Sequence, residues 1–288
     1  MKNSAILLIS CPDRKGEVAT IADFVYHHNG NILHADEHVD EESGLFLMRV
    51  EFDPTDFDID LSQADLADFS KHFSLVAEPF HMTWRLAQSS HRPRMIIFVS
   101  KFGHCLADLL YRHQSAELAC DIPLIISNHP DHQALADFHK ISYTVVPIAK
   151  DNKPQAEASI QALIAEYQPD FIVLARYMQI LPQDFVRRFP HRIINIHHSF
   201  LPAFVGARPY HQAFARGVKI IGATSHYVTE VLDDGPIIEQ DVVRISHRDE
   251  VEDLIRKGRD LEKVVLSRAV RWHVENRVLV YGNKTVVF

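Results

Sequence analysis

Apolar and polar positions follow two different rhythms along this chain. In the first stretch, Ile6–Ile9 is a short apolar run closed by Cys11-Pro12. Val18, Ile21, Ala22 and Val25 then recur at helical spacing, which predicts a helix over 18–28 stopped by Asn29-Gly30-Asn31. Residues 32–39 and 45–52 read as two strands joined by the hairpin loop DEESG. A second helical pattern covers 61–73, and 75–86 holds a last strand. The order βαββαβ is the ferredoxin-like layout.

From Met95 onward the rhythm changes. Residues 95–100, 124–127, 143–147, 171–175, 192–197 and 220–228 are nearly continuous apolar runs. Between and after them, 105–113, 156–167 and 250–274 carry helical spacing, and NHPDHQAL opens another helix. Buried strands separated by helices predict an α/β domain with a mostly parallel, Rossmann-like sheet covered on both faces. Such sheets bind ligands beyond the carboxyl ends of their strands. The polar stretch RLAQSSHRPR lies between the two rhythms and has the composition of a linker. The expected organisation is a first domain over 1–86, a linker over 87–93 and a second domain over 94–288.

Composition and motifs exclude several classes. The formal net charge is −8, with no Lys/Arg run, so nothing offers nucleic acid a basic field. No run of eighteen apolar residues exists, and the N-terminus lacks a cleavage site, so it reads as a first strand, with no membrane partner. Cys11, Cys105 and Cys120 are odd in number and widely spaced, which fits a reduced, cytoplasmic protein. The ten glycines form neither GxGxxG nor GxxxxGKS/T, and there is no HExxH or CxxC. HADEH, His34 to His38, reads as H-x-x-E-H. On a strand its two imidazoles stand about 13 Å apart, too far for one ion. Ser199 and Ser225 lack a nucleophile elbow, and Cys105 and Cys120 occupy positions that suit inert buried thiols.

One stretch concentrates chemistry. In NIHHSFLP, Asn195 and His197 end an apolar strand, and alternation places both on one face. Thirty-eight positions after Asn195, a loop delivers Asp233, Asp234 and Gly235 beyond the end of another strand. Asn, His and Asp at strand ends read either as a catalytic set or as a capped turn with a satisfied histidine.

At this point NIHHSFLPAFVGARPY, RGVKIIGATSHYVTEVLDDGPII and VLARYMQIL resemble the folate-dependent formyltransferase fold over 93–288. Its Asn-x-His and distant Asp signature falls on Asn195, His197 and Asp233. The resemblance implies substrate contacts from Met178, Gln179, Ile180 and Leu181 and from the loop holding Glu230, Leu232, Asp234 and Gly235. Arg176 and His226 are further substrate-contact candidates, and Arg208 and Tyr210 lie in a loop that would close over the water site. From the residues alone, Met178 and Leu181 read equally well as core.

The first domain resembles an ACT domain, through its topology and CPDRKGEVATIADFVYHHNGNI. That implies a homo-oligomer, and either an empty dimerisation module or a small amino-acid effector held by Asp13, Gly16 and Glu17, with Asn31 and Ile32 across the interface. An ACT-like domain joined to this fold is similar to the hydrolase branch, the formyltetrahydrofolate deformylases. His198, where transformylases usually have Pro, and KFGHCLADLL, which is no phosphate cradle, fit that branch. The implied reaction is 10-formyltetrahydrofolate plus water to tetrahydrofolate and formate. It would supply formate and balance the one-carbon folate pool for purine synthesis, with neither a metal nor another cofactor. The chain ends too soon for the RNA-binding domain of the methionyl-tRNA enzyme. Two alternatives stand: formyl transfer to an amine acceptor such as glycinamide ribonucleotide, and an amino-acid-responsive regulator that binds folate without turnover.

Overall fold

A computed structural model describes residues 3–61, 66–203 and 208–288, which fold as two units. The first comprises Met1–His91 with Glu275–Tyr281 and Val286–Phe288; the second comprises Arg92–Val274 with Gly282–Thr285.

The first unit follows the expected order: β1 (Ala5–Pro12), α1 (Glu17–His27), β2 (Asn31–Asp40), β3 (Leu45–Asp53), α2 (Ala67–Ala77), a 3-10 turn at Glu78–Phe80 and β4 (Thr83–Gln88). The sheet runs β2-β3-β1-β4, every pair antiparallel. Side chains of alternate β1 residues, Leu7 and Ile9, bury against Phe24, Phe69 and Phe73 of the two helices. The second helix begins at Ala67 and runs four residues past 73 to Ala77. Phe69, Phe73 and Ala77 recur four apart and are all buried, so the helical stripe continues where a strand was expected. Positions 62–65 of the expected helix lie outside the described residues.

The second unit contains β5 (Arg94–Val99), α3 (His104–Gln114), β6 (Asp121–Ser127), α4 (Gln133–Phe138), β7 (Ser142–Val145), α5 (Lys153–Tyr167), β8 (Phe171–Ala175), α6 (Gln183–Arg187), β9 (Ile193–His197), α7 (Pro209–Arg216), β10 (Ile220–Tyr227), β11 (Ile237–Arg244) and α8 (Val251–Val274). Seven strands form one sheet, ordered β11-β10-β9-β8-β5-β6-β7. The run from β9 to β7 is parallel, and β10 pairs antiparallel with both β9 and β11. The apolar-run pattern did not reveal β11, which is an edge strand with only one fully buried position, Ile238. Strand order reverses between β5 and β8, whose connections leave in opposite directions along the sheet. That reversal marks where open α/β sheets form a ligand crevice.

The chain closes with β12 (Val278–Tyr281) and β13 (Lys284–Val287). Leu279, Tyr281, Val286 and Phe288 pack on Leu8 and Leu47, on the sheet face of the first unit that its helices leave open. No described helix is long and apolar enough to cross a membrane.

Candidate active site

The carboxyl end of β9 carries Asn195 and His197. In the β9–β10 ladder Asn195 stands opposite His226, and His197 opposite Thr224. Directly opposed residues project to one face of a sheet, so four polar side chains meet there. His226 Nδ1 lies 3.0 Å from the Tyr227 carbonyl oxygen. A carbonyl can only accept, so that nitrogen carries the proton. Burial is the main influence on His226 and lowers its pKa, and the hydrogen bond to the Tyr227 carbonyl and the charge of Asp233 only partly oppose it. The neutral ring then offers Nε2 as an acceptor, and the Asn195 Nδ2 group donates to it at 3.2 Å. This fixes the Asn195 amide with its nitrogen toward His226. Its second N–H has no partner among the described residues and is available to an oxyanion.

Asp233 completes the cluster from the loop after β10. Its φ of +56° puts it in the left-handed region, which Asp tolerates better than most residues. Two residues on, a Cβ at Gly235 would overlap the Tyr227 carbonyl oxygen, so only glycine lets the loop return this close to β10. Asn283 braces the loop by donating to the Asp234 carbonyl at 2.9 Å. The Asp233 carboxylate lies 3.3 Å from His197 Nδ1 and 3.7 Å from His226 Nε2. Burial by itself would raise the Asp233 carboxyl, but the opposing influences, led by the hydrogen bond and charge of His197, outweigh it and hold it below the usual value. His197 Nε2 is buried and has no hydrogen-bond partner among the described residues. The arrangement leaves one imidazole nitrogen and one amide N–H without partners among the described residues, in a cluster that also holds one anion.

Two loops beside this cluster expose apolar side chains. Met178 and Ile180 follow β8, and Val231 and Leu232 sit in the Asp233 loop; all four are more than half exposed. Exposed apolar rims around a few convergent polar groups are typical of organic-ligand sites. Gln179, Ile180 and Leu181 also line a shallow pocket with Tyr177, Glu157 and Ile160. The Met178 N–H donates to Ser100 Oγ at 3.0 Å, and Ser100 donates to Asn128 Oδ1 at 2.7 Å. Arg187 of α6 grips Glu230 through two hydrogen bonds of 2.7 and 2.6 Å, which ties the second loop down. Glu230 is thus engaged by Arg187, while Leu232 faces solvent.

A second charged cluster lies beneath His198. Glu262 of α8 is 1% exposed. It accepts from Tyr210 at 2.6 Å and from His104 at 2.7 Å, and Arg176 Nε stands 3.3 Å from it. Burial would raise Glu262, but the His104 hydrogen bond and the Arg176 charge overcome it and keep the carboxylate anionic. A Cβ at Gly258 would overlap the Tyr210 hydroxyl, so that glycine makes room for the phenol. His198 spans the two clusters, with its ring 5.2 Å from that of His197 and 6.0 Å from that of Tyr210. Burial, with the Arg176 charge second, pushes His198 down to about 4, so it is neutral at physiological pH. Arg176 and Tyr210, singled out for the substrate and for a closing loop, both point into this cluster. Arg208 is exposed at the start of α7, and residues 204–207 before it lie outside the described residues.

His104, Cys105 and Glu262 place potential ligand atoms within 4.8 Å of one another. The Arg176 guanidinium opposes a cation there, and burial raises the Cys105 thiol far above its usual value, which favours the neutral form. His34 and His38 sit on the exposed strand β2, at the spacing that separates their rings.

In the first unit, Asp13, Gly16 and Glu17 converge at the β1–α1 turn. Gly16 has a φ of +107°, and the buried Glu17 carboxylate accepts from the Arg14 backbone N–H. Asn31 and Ile32 open β2, the edge strand.

Several residues that brace the second unit's site were not visible as motifs. Ser100, Asn128 and Glu262 are polar groups buried at strand ends or within a helix face, His104 is half-buried at the start of α3, and only Ser100 follows directly from the end of an apolar run.

Comparison with known proteins agrees with this architecture. A family model described as Formyl transferase matches residues 93–270, and one described as ACT domain matches 5–65. Formyltetrahydrofolate deformylase of Synechocystis sp. is 58% identical, covering 99% of this chain and 98% of its own. The protein of the same name from Bacillus subtilis is 48% identical, covering 98% and 93%. The crystal structure of a formyltetrahydrofolate deformylase from Pseudomonas syringae superposes with a TM-score of 0.95 at 51% identity, covering 100% of this chain and 95% of its own. With an ACT domain, a formyl transferase domain and relatives of this identity along its whole length, the chain belongs to the formyltetrahydrofolate deformylase family.

Proposed function

We propose that this enzyme hydrolyses 10-formyltetrahydrofolate to tetrahydrofolate and formate at Asn195, His197 and Asp233, and so feeds formate and tetrahydrofolate into the one-carbon pool used for purine synthesis. The carrying observation is that His197 Nε2 and one Asn195 N–H are left without partners among the described residues, in the same cluster as the Asp233 anion, which pairs with His197 Nδ1. Water attacks the formyl carbon, and the carbonyl oxygen becomes an oxyanion held by the Asn195 N–H. A single such donor contributes about 10²–10³ in rate. His197 Nε2 carries a proton from the attacking water to N10, which leaves as the amine when the C–N bond breaks. Asp233 holds the Nδ1–H of His197, stabilises the imidazolium and helps orient the water. The Met178–Leu181 segment and the 230–235 loop supply the apolar slot for the pterin. Every step is supplied by these side chains and needs no metal.

In the first unit, the β1–α1 turn with Asp13, Gly16 and Glu17 serves as an amino-acid effector site, and β2 with Asn31 and Ile32 as the edge on which copies of the chain pair. Titrating glycine and methionine against rate tests the effector role, and flat curves for all small amino acids would leave only assembly. The primary experiment supplies 10-formyltetrahydrofolate with and without glycinamide ribonucleotide. Stoichiometric formate with no formylated nucleotide is expected; the formylated nucleotide would make the enzyme a transferase.

A further inference from the structure

The sheet's switch point lies between β5 and β8, and its crevice is where this architecture accepts ligands. Here that crevice is filled. Arg176 follows β8 directly, His104 opens the helix after β5, and Glu262 and Tyr210 reach the same spot from α8 and α7. Arg176, Tyr210 and Glu262 are all buried; Glu262 takes hydrogen bonds from Tyr210 and His104, and Arg176 Nε stands 3.3 Å away as an ion-pair partner. Such a network is a poor choice if stability is the only aim, because apolar residues of similar volume often stabilise as well as buried ion pairs or better. Its position explains more. The His198 ring lies between the rings of Tyr210 and His197, tilted to both, so the cluster forms the wall on one side of the reacting centre. Tyr210 is seated by the absence of a side chain at Gly258, so the crevice is packed shut.

We propose that His104, Arg176, Tyr210 and Glu262 are specificity-determining residues that close the switch-point crevice and leave water as the acceptor for the formyl group. This rests on the deformylase reading above and extends it from the reaction to the choice of acceptor. Opening the wall lets a small primary amine reach the formyl carbon. Its nitrogen would bond to that carbon, the bond to N10 would break, and the proton lost by the amine would end on N10. No oxidant or further reactant is required.

The test uses the full-length enzyme with 10-formyltetrahydrofolate and either hydroxylamine or glycinamide, with a no-enzyme blank. Formate and N-formyl product are measured together for the wild type, His104→Ala, Tyr210→Ala and Tyr210→Phe. The ratio of formylated amine to formate should rise about tenfold or more in the two alanine variants and stay within about twofold of wild type in Tyr210→Phe, which keeps its ring. A network with a purely structural role would lower formate release without creating a new product. Alanine variants that release formate with the wild-type ratio would overturn the proposal, as would variants inert toward both acceptors. His104 sits at the rim, with its side chain 16% exposed, so His104→Ala decides the question if Tyr210→Ala does not fold. No formate from the wild type would instead overturn the deformylase reading itself.

Discussion

The second unit holds two clusters of similar composition on either side of His198, and they differ in what they leave unfinished. Each combines histidine with a carboxylate. Around Glu262 both carboxylate oxygens are engaged and sealed on the long helix α8, and the leftover atom is the Arg176 Nε, a cation already paired with that carboxylate. Around Asp233 the carboxylate comes from a loop with a left-handed backbone, its contacts are longer, and His197 Nε2 and one Asn195 N–H are left over. A satisfied network fixes shape, whereas unsatisfied groups converging on one point are prepared for a ligand. On the proposed reading, composition alone does not mark the catalytic cluster; an imidazole nitrogen and an amide N–H left over beside a loop-borne carboxylate do.

The largest expected effect breaks the open cluster. Asp233→Asn should lower kcat by about 10³–10⁴, as when a carboxylate that orients a catalytic histidine is replaced. Thermal unfolding of that variant should stay close to wild type, because the site is a loop. Asn195→Ala comes next and should cost about 10²–10³ in kcat with little change in KM, because in the proposed mechanism its N–H acts on the oxyanion formed in the transition state. Steady-state formate release checks both.

The two clusters differ in how readily each could be read from the sequence. Asn195 and His197 end an apolar run with a two-residue spacing, and their face follows from the period of a strand. Asp233 is foreshadowed by Gly235, which marks a close backbone approach. Glu262 lies in the middle of a helix among Arg, Lys and Asp, where a charged residue usually faces water. Only the packing of α8 onto the strand ends reveals that this one is buried. The fold was legible for a parallel reason. Continuous apolar strands announce a doubly covered sheet, but β11 is a half-buried edge strand, and α2 runs on past the point where its stripe of Phe69 and Phe73 was expected to stop. His226 illustrates the limit most directly. Its role depends on a cross-strand register with Asn195 that becomes visible only when β10 turns out to run antiparallel to β9.

A smaller effect separates the clusters by pH. His198 is held near 4 in the folded protein against an ordinary value of 6.5, and burial lowers His226 as well. Between those values the unfolded chain takes up a proton that the folded one refuses, so stability rises with pH and is lost as pH falls from 6.5 toward 4. His198→Gln should flatten the fall in Tm across that window, leaving the smaller contribution of His226. Unchanged slopes would show that His198 is not the buried neutral group described. Asp233 has the opposite sense: its depressed pKa contributes stability above 3.8 that fades as pH falls below it.

The smallest effects test the edges of the comparison. Arg187→Ala frees Glu230 and should raise KM severalfold at most with kcat retained, since that ion pair is exposed. Incubation with EDTA should leave formate release unchanged; loss of activity restored by zinc would mean that a metal takes part.

The most direct measurement follows the acceptor itself. A single turnover of 10-formyltetrahydrofolate in water enriched in oxygen-18 should release formate carrying one solvent oxygen, with one tetrahydrofolate formed per formate. Formate without solvent label, or tetrahydrofolate produced while the formyl group appears on an amine, would contradict the claim that the open cluster directs water to the formyl carbon.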